Sequence, residues 1–231
     1  MQHLKIWKYL SAPWVGFSIF FFISFLALAF LQNISESFLT SALISKLLIN
    51  TISLTALVGF FTVIIAAPFA IITSLYKFPC HHFFSWSLSL PLAFPAYIYA
   101  FIFVGGLEYS GPLATWLREF EVILPSVRNI LGASLIMSLA LYPYIFLLMK
   151  AQIKYLGIPI FKAAKTLGKS DITVIRTILL PALKPAIIAG MILAMLETLA
   201  DFGGVSTLRI ETFTVATVSY THLTLPTIYS V

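Results

Sequence analysis

Span-length apolar runs constrain this chain more than any other feature. A helix needs about 20 consecutive apolar residues to cross roughly 30 Å of hydrocarbon. Runs of that order stand at about 14–31, 47–75, 84–107, 130–149 and 186–201. In lipid only helices and closed barrels satisfy every backbone group, and runs this long mean helices. The second run exceeds one crossing and is expected to tilt or to extend past the hydrocarbon. Composition agrees: 60% of the residues are hydrophobic and 10% charged, against about 25% charged in soluble domains. The expected fold is therefore an all-α, polytopic transmembrane helical bundle.

Lysine and arginine set the expected orientation. With the N-terminus inside, Lys5, Lys8, Lys77, Lys150, Lys154, Lys162, Lys165, Lys169, Arg176 and Lys184 fall on the cytoplasmic side. Lys46, Arg118, Arg128 and Arg209 fall outside, with Glu36, Glu108, Glu119, Glu121 and Glu211 mostly beside them. The net charge of +6 thus reads as topology, not as a nucleic-acid surface. Close helix packing is expected along Ala186, Gly190 and Ala194, and less specifically at Thr51 and Thr55 and at Ala66 and Ala70. Pro68, Pro91, Pro95 and Pro143 interrupt helices and free carbonyls that a bundle interior can satisfy.

Several chemistries find no support. One cysteine, Cys80, excludes an internal disulfide, and with His81 and His82 it still lacks the fourth ligand of a structural zinc site. No metal site is expected. No Gly-x-x-x-x-Gly-Lys-Ser/Thr loop is present, and the four histidines form no nucleophile arrangement. The first apolar run shows no evident signal-peptide cleavage site. From about Val218 the chain loses the preceding pattern. Residues 218–231 read as translated sequencing-adapter sequence, a non-native tail excluded from fold reasoning.

The segment 150–185 is too long for a minimal connection. Gly157-Ile158-Pro159 is expected to open a short helix, with proline in its first turn. At about 100° per residue, Ile160, Phe161, Ala164, Leu167 and Gly168 share one arc, opposite Lys162, Lys165 and Lys169. Ser170 or Asp171 offers an N-cap for a second helix, 172–180, ended by Pro181. Such a basic amphipathic helix can lie on anionic lipid or enter a groove on a soluble partner, and periodicity leaves both open.

Lys162-Ala163-Ala164-Lys165-Thr166-Leu167-Gly168, followed by Ile178-Leu179-Leu180-Pro181, resembles the EAA loop of ABC importer permeases. That family's pattern is Glu-Ala-Ala, three residues, Gly, then Ile-x-Leu-Pro. Lys162 departs from it by standing where glutamate is usual. The resemblance implies that this is a coupling loop, with Ile160, Phe161, Lys162, Ala163, Ala164, Leu167, Gly168, Leu180 and Pro181 docking onto a cytoplasmic ATPase dimer. The stretch from Met191 to Gly204, with Glu211-Thr212-Phe213-Thr214, is similar to the ferric-iron branch, in which two homologous halves lie in tandem. Related branches move thiamine, sulfate, polyamines or phosphonates. By this resemblance the chain, from about Trp14 to Thr217, is most of a first half and so a truncated permease. Its implied partners are a periplasmic binding protein, the ATPase, and a missing second half or second permease subunit, within the lipid of the inner membrane. ATP and Mg would reside on the ATPase, with no cofactor and no enzymatic step in this chain.

Glu197 and Asp201 are four residues apart at the end of the fifth run, close to the Ala186, Gly190 and Ala194 arc. They are expected to face protein. They either line the outer part of a translocation path or accept hydrogen bonds that fix helix packing; a proton relay is a third reading. Two rival functions follow. A proton-coupled secondary transporter would work without an ATPase and show inverted repeats, and a non-transporting membrane scaffold would use its basic loop on lipid alone.

Overall fold

The computed structural model describes residues 41–122 and 124–219. The first expected span, 14–31, lies outside the described residues, as do 220–231 of the tail. By internal contacts the chain divides into Met1–Ile44 and Ser45–Val231, and the helices from Ser45 onward pack within the second unit. Among the described residues all regular structure is helical.

Three helices are long and apolar enough to cross a bilayer: Ala42–Leu75, Ile130–Thr166 and Asp171–Ala200. They contain the second, fourth and fifth expected spans. Helix α1 (Ser41–Leu75) spans about 50 Å at 1.5 Å per residue, well beyond one perpendicular crossing. Three of its threonines find partners within the helix. Thr51, Thr62 and Thr73 donate to the carbonyls of Leu47, Val58 and Phe69 at 2.7, 2.8 and 2.6 Å, the back-bonding open to threonine in a helix.

The third stretch differs from a single straight helix. Helix α2 (His81–Ser87), a 3₁₀ turn (Leu90–Ala93), helix α3 (Ala96–Leu107) and helix α4 (Pro112–Arg118) follow one another, and the arms His81–Ala93 and Ala96–Arg118 meet at 94°. The cause is local. Phe94 is extended, at φ −113° and ψ 134°, as the ring of Pro95 requires of the residue before it. The pair is one broken span or a re-entrant loop.

Helix α5 (Ile130–Gln152) is the central post. Asn129 caps it by accepting the Gly132 N–H at 2.8 Å, the usual service of an N-cap amide. Buried residues account for 61% of the apolar stretch of Ile130–Thr166, against 33% and 28% in the other two long helices. Helix α8 (Leu180–Ala200) lies along α5. A Cβ at Gly190 would come within 2.7 Å of Ile145 Cα, so only glycine permits this approach of backbones. Ala186, Gly190, Ala194 and Thr198 are buried in that seam, as the small-residue spacing predicts. Thr55, Ala66 and Ala70 are buried on α1.

The core continues along α5 in two clusters. One gathers Leu54, Val58, Ile136, Met137, Ala194 and Val205; the other gathers Ala70, Ile145, Phe146, Met149, Leu179 and Leu183. Helix α9 (Gly203–Thr207) and a helix at 213–219 follow α8. Charged groups expected on the same side meet one another. Lys46 pairs with Glu211 at 2.5 Å, Arg128 with Glu108 at 3.4 Å, and Lys165 with Asp171.

Candidate functional site

The segment expected to form a separate amphipathic helix is a prolongation of the central post. Beyond Gln152 the chain passes through a π-helical turn, Ile153–Gly157, into helix α6 (Ile158–Thr166). Gly157-Ile158-Pro159 does open α6 with proline in its first turn, but the helix is not separate: its path runs on from α5 through a wide π turn that tolerates the missing N–H. The return limb behaves alike. Helix α7 (Asp171–Val174) runs through a second π turn, Ile175–Leu179, into α8. Pro181 consequently does not end a helix. It lies just past the π turn, where the i−4 carbonyl that its ring would strike is displaced.

The two π turns touch. A Cβ at Gly157 would lie 2.8 Å from Leu179 Cδ1, so the absent side chain sets the distance between the limbs. Gln152 Nε2 donates to the Ala182 carbonyl at 2.6 Å across the same gap. The hairpin tip is closed by a Schellman arrangement. Gly168 adopts φ +75°; its N–H reaches the Lys165 carbonyl at 3.0 Å, and the Lys169 N–H reaches the Ala164 carbonyl at 3.3 Å. Those bonds satisfy end carbonyls that a helix otherwise leaves open. The Ser170 hydroxyl then accepts the Thr173 N–H at 3.4 Å and caps the return limb, as expected.

Placement of the expected coupling residues is mixed. Ala164 is buried, Ile160, Phe161 and Leu180 are half-buried, and Lys162, Ala163, Leu167, Gly168 and Pro181 are exposed. The apolar arc is thus divided: Ala164 turns inward on a hairpin whose return limb buries Val174 and Leu179 fully, while Leu167 and Gly168 at its far end are exposed. What the hairpin presents outward is its tip, with Leu167 79% and Ile172 66% exposed, and the lysines.

One knot was not anticipated. Asp171 accepts a hydrogen bond from the Tyr76 hydroxyl at 2.8 Å and pairs with Lys165. It ties the hairpin tip to the end of α1. Lys165, first, and Tyr76 hold its carboxyl below the usual carboxylate range. Sequence reasoning gave Asp171 only a capping role; its being the single acid in a strongly basic segment was the available signal.

At the other end of α8, Glu197 and Asp201 part company. Glu197 is exposed, although it lies near the buried arc: the seam against α5 has passed to Ala194 and Thr198 by that point. Asp201 has left the helix, with φ −76° and ψ 111°, and its Oδ1 accepts the Gly204 N–H at 3.2 Å. Asp201 thus meets protein as a cap on the turn into α9, whereas Glu197 lies on an edge of α8 that the described residues leave exposed. Among the described residues no group of three or more His, Cys, Asp or Glu could hold a metal ion.

Residues 66–225 match the sequence profile of the family described as binding-protein-dependent transport system inner membrane component. The chain belongs to this family. The matched region includes the whole hairpin and runs to residue 225, into the stretch read as a non-native tail. Among relatives, the Fe(3+)-transport system permease protein FbpB 2 of Haemophilus influenzae is 30% identical over 172 residues, 74% of this chain and 31% of that protein. The sulfate transport system permease protein CysT of Salmonella typhimurium is 27% identical over 130 residues, 56% of this chain and 46% of that protein. The molybdenum transport system permease protein ModB of Haemophilus influenzae is 26% identical over 143 residues, 60% of this chain and 62% of that protein. The chain spans about a third to three fifths of these relatives' lengths. In fold it is similar to a crystal structure of an amino acid ABC transporter with histidines, at a TM-score of 0.53 and 16% identity over 79% of this chain and 78% of that one.

Proposed function

We propose that this chain is part of the pore subunit of an ATP-driven importer, and that its hairpin 153–180 receives motion from a separate ATPase dimer. The observation that carries this reading is the construction of the hairpin. It prolongs the most enclosed helix of the bundle, is closed by Gly168, and returns into α8 with two π turns in contact. A push on the tip is delivered along α5 and α8 together. Such coupling works when ATP binding favours one access state over the other, and paired rigid limbs turn that bias into relative helix movement. ATP and Mg belong to the partner in this reading, and a periplasmic binding protein delivers cargo to the Lys46–Glu211 end. The N-terminus is then cytoplasmic and the membrane is the inner one.

Ferric iron is the proposed cargo. Its support is the longer match to the Fe(3+)-transport relative, together with the carboxylates Glu197 and Asp201 at the outer end of α8, which repel oxyanions and suit a hard cation. The test is uptake of radiolabelled iron, sulfate and molybdate by cells relying on the full-length protein. Iron accumulation alone, abolished by an ATPase-dead partner, is the expected result. Accumulation of either oxyanion instead of iron would overturn the cargo, and uptake indifferent to the ATPase would overturn the coupling in favour of a proton-driven carrier.

A further inference from the structure

Between Lys150 and Pro185 the chain carries six lysines, one arginine and a single carboxylate, Asp171. That carboxylate is already engaged by Lys165 and Tyr76. The outward face of the hairpin is therefore cationic without internal compensation. Lys162 and Lys169 are exposed and make no ion pair among the described residues. Between them in sequence stands Leu167, and just beyond stands Ile172, both largely exposed. A tip with apolar side chains ringed by unpaired cations is built for a surface of opposite sign.

Two such surfaces exist, an acidic protein cleft and an anionic membrane. A helix lying on headgroups turns its apolar arc to the lipid. Here the middle of that arc is partly covered by protein, with Ala164 buried and Ile160 and Phe161 half-buried, and only its far end, at Leu167, is 79% exposed. The limb also continues the spanning helix without a break, as Ile130–Thr166, which carries the tip on the order of 14 Å past the π turn. Geometry thus favours a soluble partner.

We propose that the ATPase surface receiving this tip is an apolar cleft rimmed by carboxylates, with Leu167 and Ile172 filling the cleft and Lys162 and Lys169 selecting the partner by charge. This rests on the docking reading above and adds the sign of the partner's surface. Rim charges act mainly on encounter rate, salt dependence and rejection of wrong partners, while buried apolar groups set the lifetime of the complex. The hairpin would then discriminate against any ATPase whose cleft rim is basic.

The test uses the full-length protein in nanodiscs and the ATPase that copurifies with it. Association is measured at about 50 and about 300 mM salt for the parent, for Lys162→Glu with Lys169→Glu, for the matching pair of Gln substitutions, and for Leu167→Asp. The Glu pair is expected to weaken association roughly tenfold or more at low salt and to flatten its salt dependence, with the Gln pair intermediate. Leu167→Asp should abolish it. If Leu167→Asp abolishes association while the Glu pair leaves it unchanged or tightens it, docking stands and the acidic rim is wrong. If neither variant matters, the docking reading itself falls. If the Glu pair loses only binding to phosphatidylglycerol vesicles, the lysines serve lipid and the proposal is overturned.

Discussion

Gly168 stands at φ +75° with nothing within 4 Å of the position a Cβ would take. Its requirement is one of backbone conformation, and space plays no part. Alanine there should cost about 1 kcal/mol, with asparagine costing less because it tolerates the left-handed region. The loss should appear as faster hydrogen exchange at the amides of Gly168 and Lys169 and as weaker ATPase association, in the order Gly, Asn, Ala. Three residues on, Asp171 supplies a pH-dependent lock. Its carboxyl is held low first by the hydrogen bond from Lys165 and then by that from Tyr76. A depressed folded pKa stabilises the structure fully above the unfolded value of about 3.9 and loses that contribution as pH falls through the lowered folded value. The thermal midpoints of the parent and Asp171→Asn should therefore differ by a constant amount from pH 7 to about 5 and converge on further acidification. An unchanged difference at the acid end would mean that Asp171 is not the group. Tyr76→Phe should shift the convergence to higher pH.

At the scale of elements, the two π turns decide how the limbs move. Gly157 and Leu179 bring them together, and overpacking a filled contact typically costs about 1–3 kcal/mol. Gly157→Val should therefore separate the limbs, lower the thermal midpoint and uncouple ATP hydrolysis from uptake while leaving ATPase association intact. Association lost in parallel with coupling would place Gly157 in the docking surface instead. These turns also mark where the sequence was legible. Long apolar runs announced α1, α5 and α8, and the small residues Ala186, Gly190 and Ala194 announced the seam between α5 and α8, because span length and close approach leave direct compositional traces. Ser170 marked the start of the return limb through its capping chemistry, whereas Gly168 read as part of the helical arc and instead ends it. The π turns left no such trace: one extra residue in a helical turn needs no special residue type, so Pro159 and Pro181 read as helix boundaries. The break at Phe94 was present in Pro95, yet apolar continuity through 84–107 outweighed it. The inward face of the Ala164 arc was hidden for another reason. Periodicity identifies an apolar side but does not say whether the protein's own chain already covers it.

At the scale of the whole molecule, α8 is the least enclosed of the three long helices. Ile188, Ile192, Leu196 and Leu199 are exposed on it, and so is Glu197. The four apolar side chains suit hydrocarbon, but the carboxylate does not. A charge at membrane depth is tolerated where it meets protein or water. Two neighbours are consistent with the proposed pore: a second permease half or subunit laid over the Glu197 edge of α8, or a water-filled path running along it. The chain covers only 31% of the Fe(3+)-transport relative, so there is ample sequence in such a protein to supply the cover. In a full-length protein with Cys80 and every further cysteine replaced by serine, single cysteines at Glu197, Ile192 and Leu196 separate the cases. A water-soluble, membrane-impermeant thiol reagent applied from the outer side should modify Glu197→Cys, and its rate should change when the partner ATPase is locked with ATP. Ile192→Cys and Leu196→Cys should stay unreactive if they face lipid. Uniformly low reactivity would mean that Glu197 is sealed by packing and lines no path. Equal reactivity at all three would mean that the whole outer face of α8 is wet, and the boundary between lipid and pore would lie on another helix.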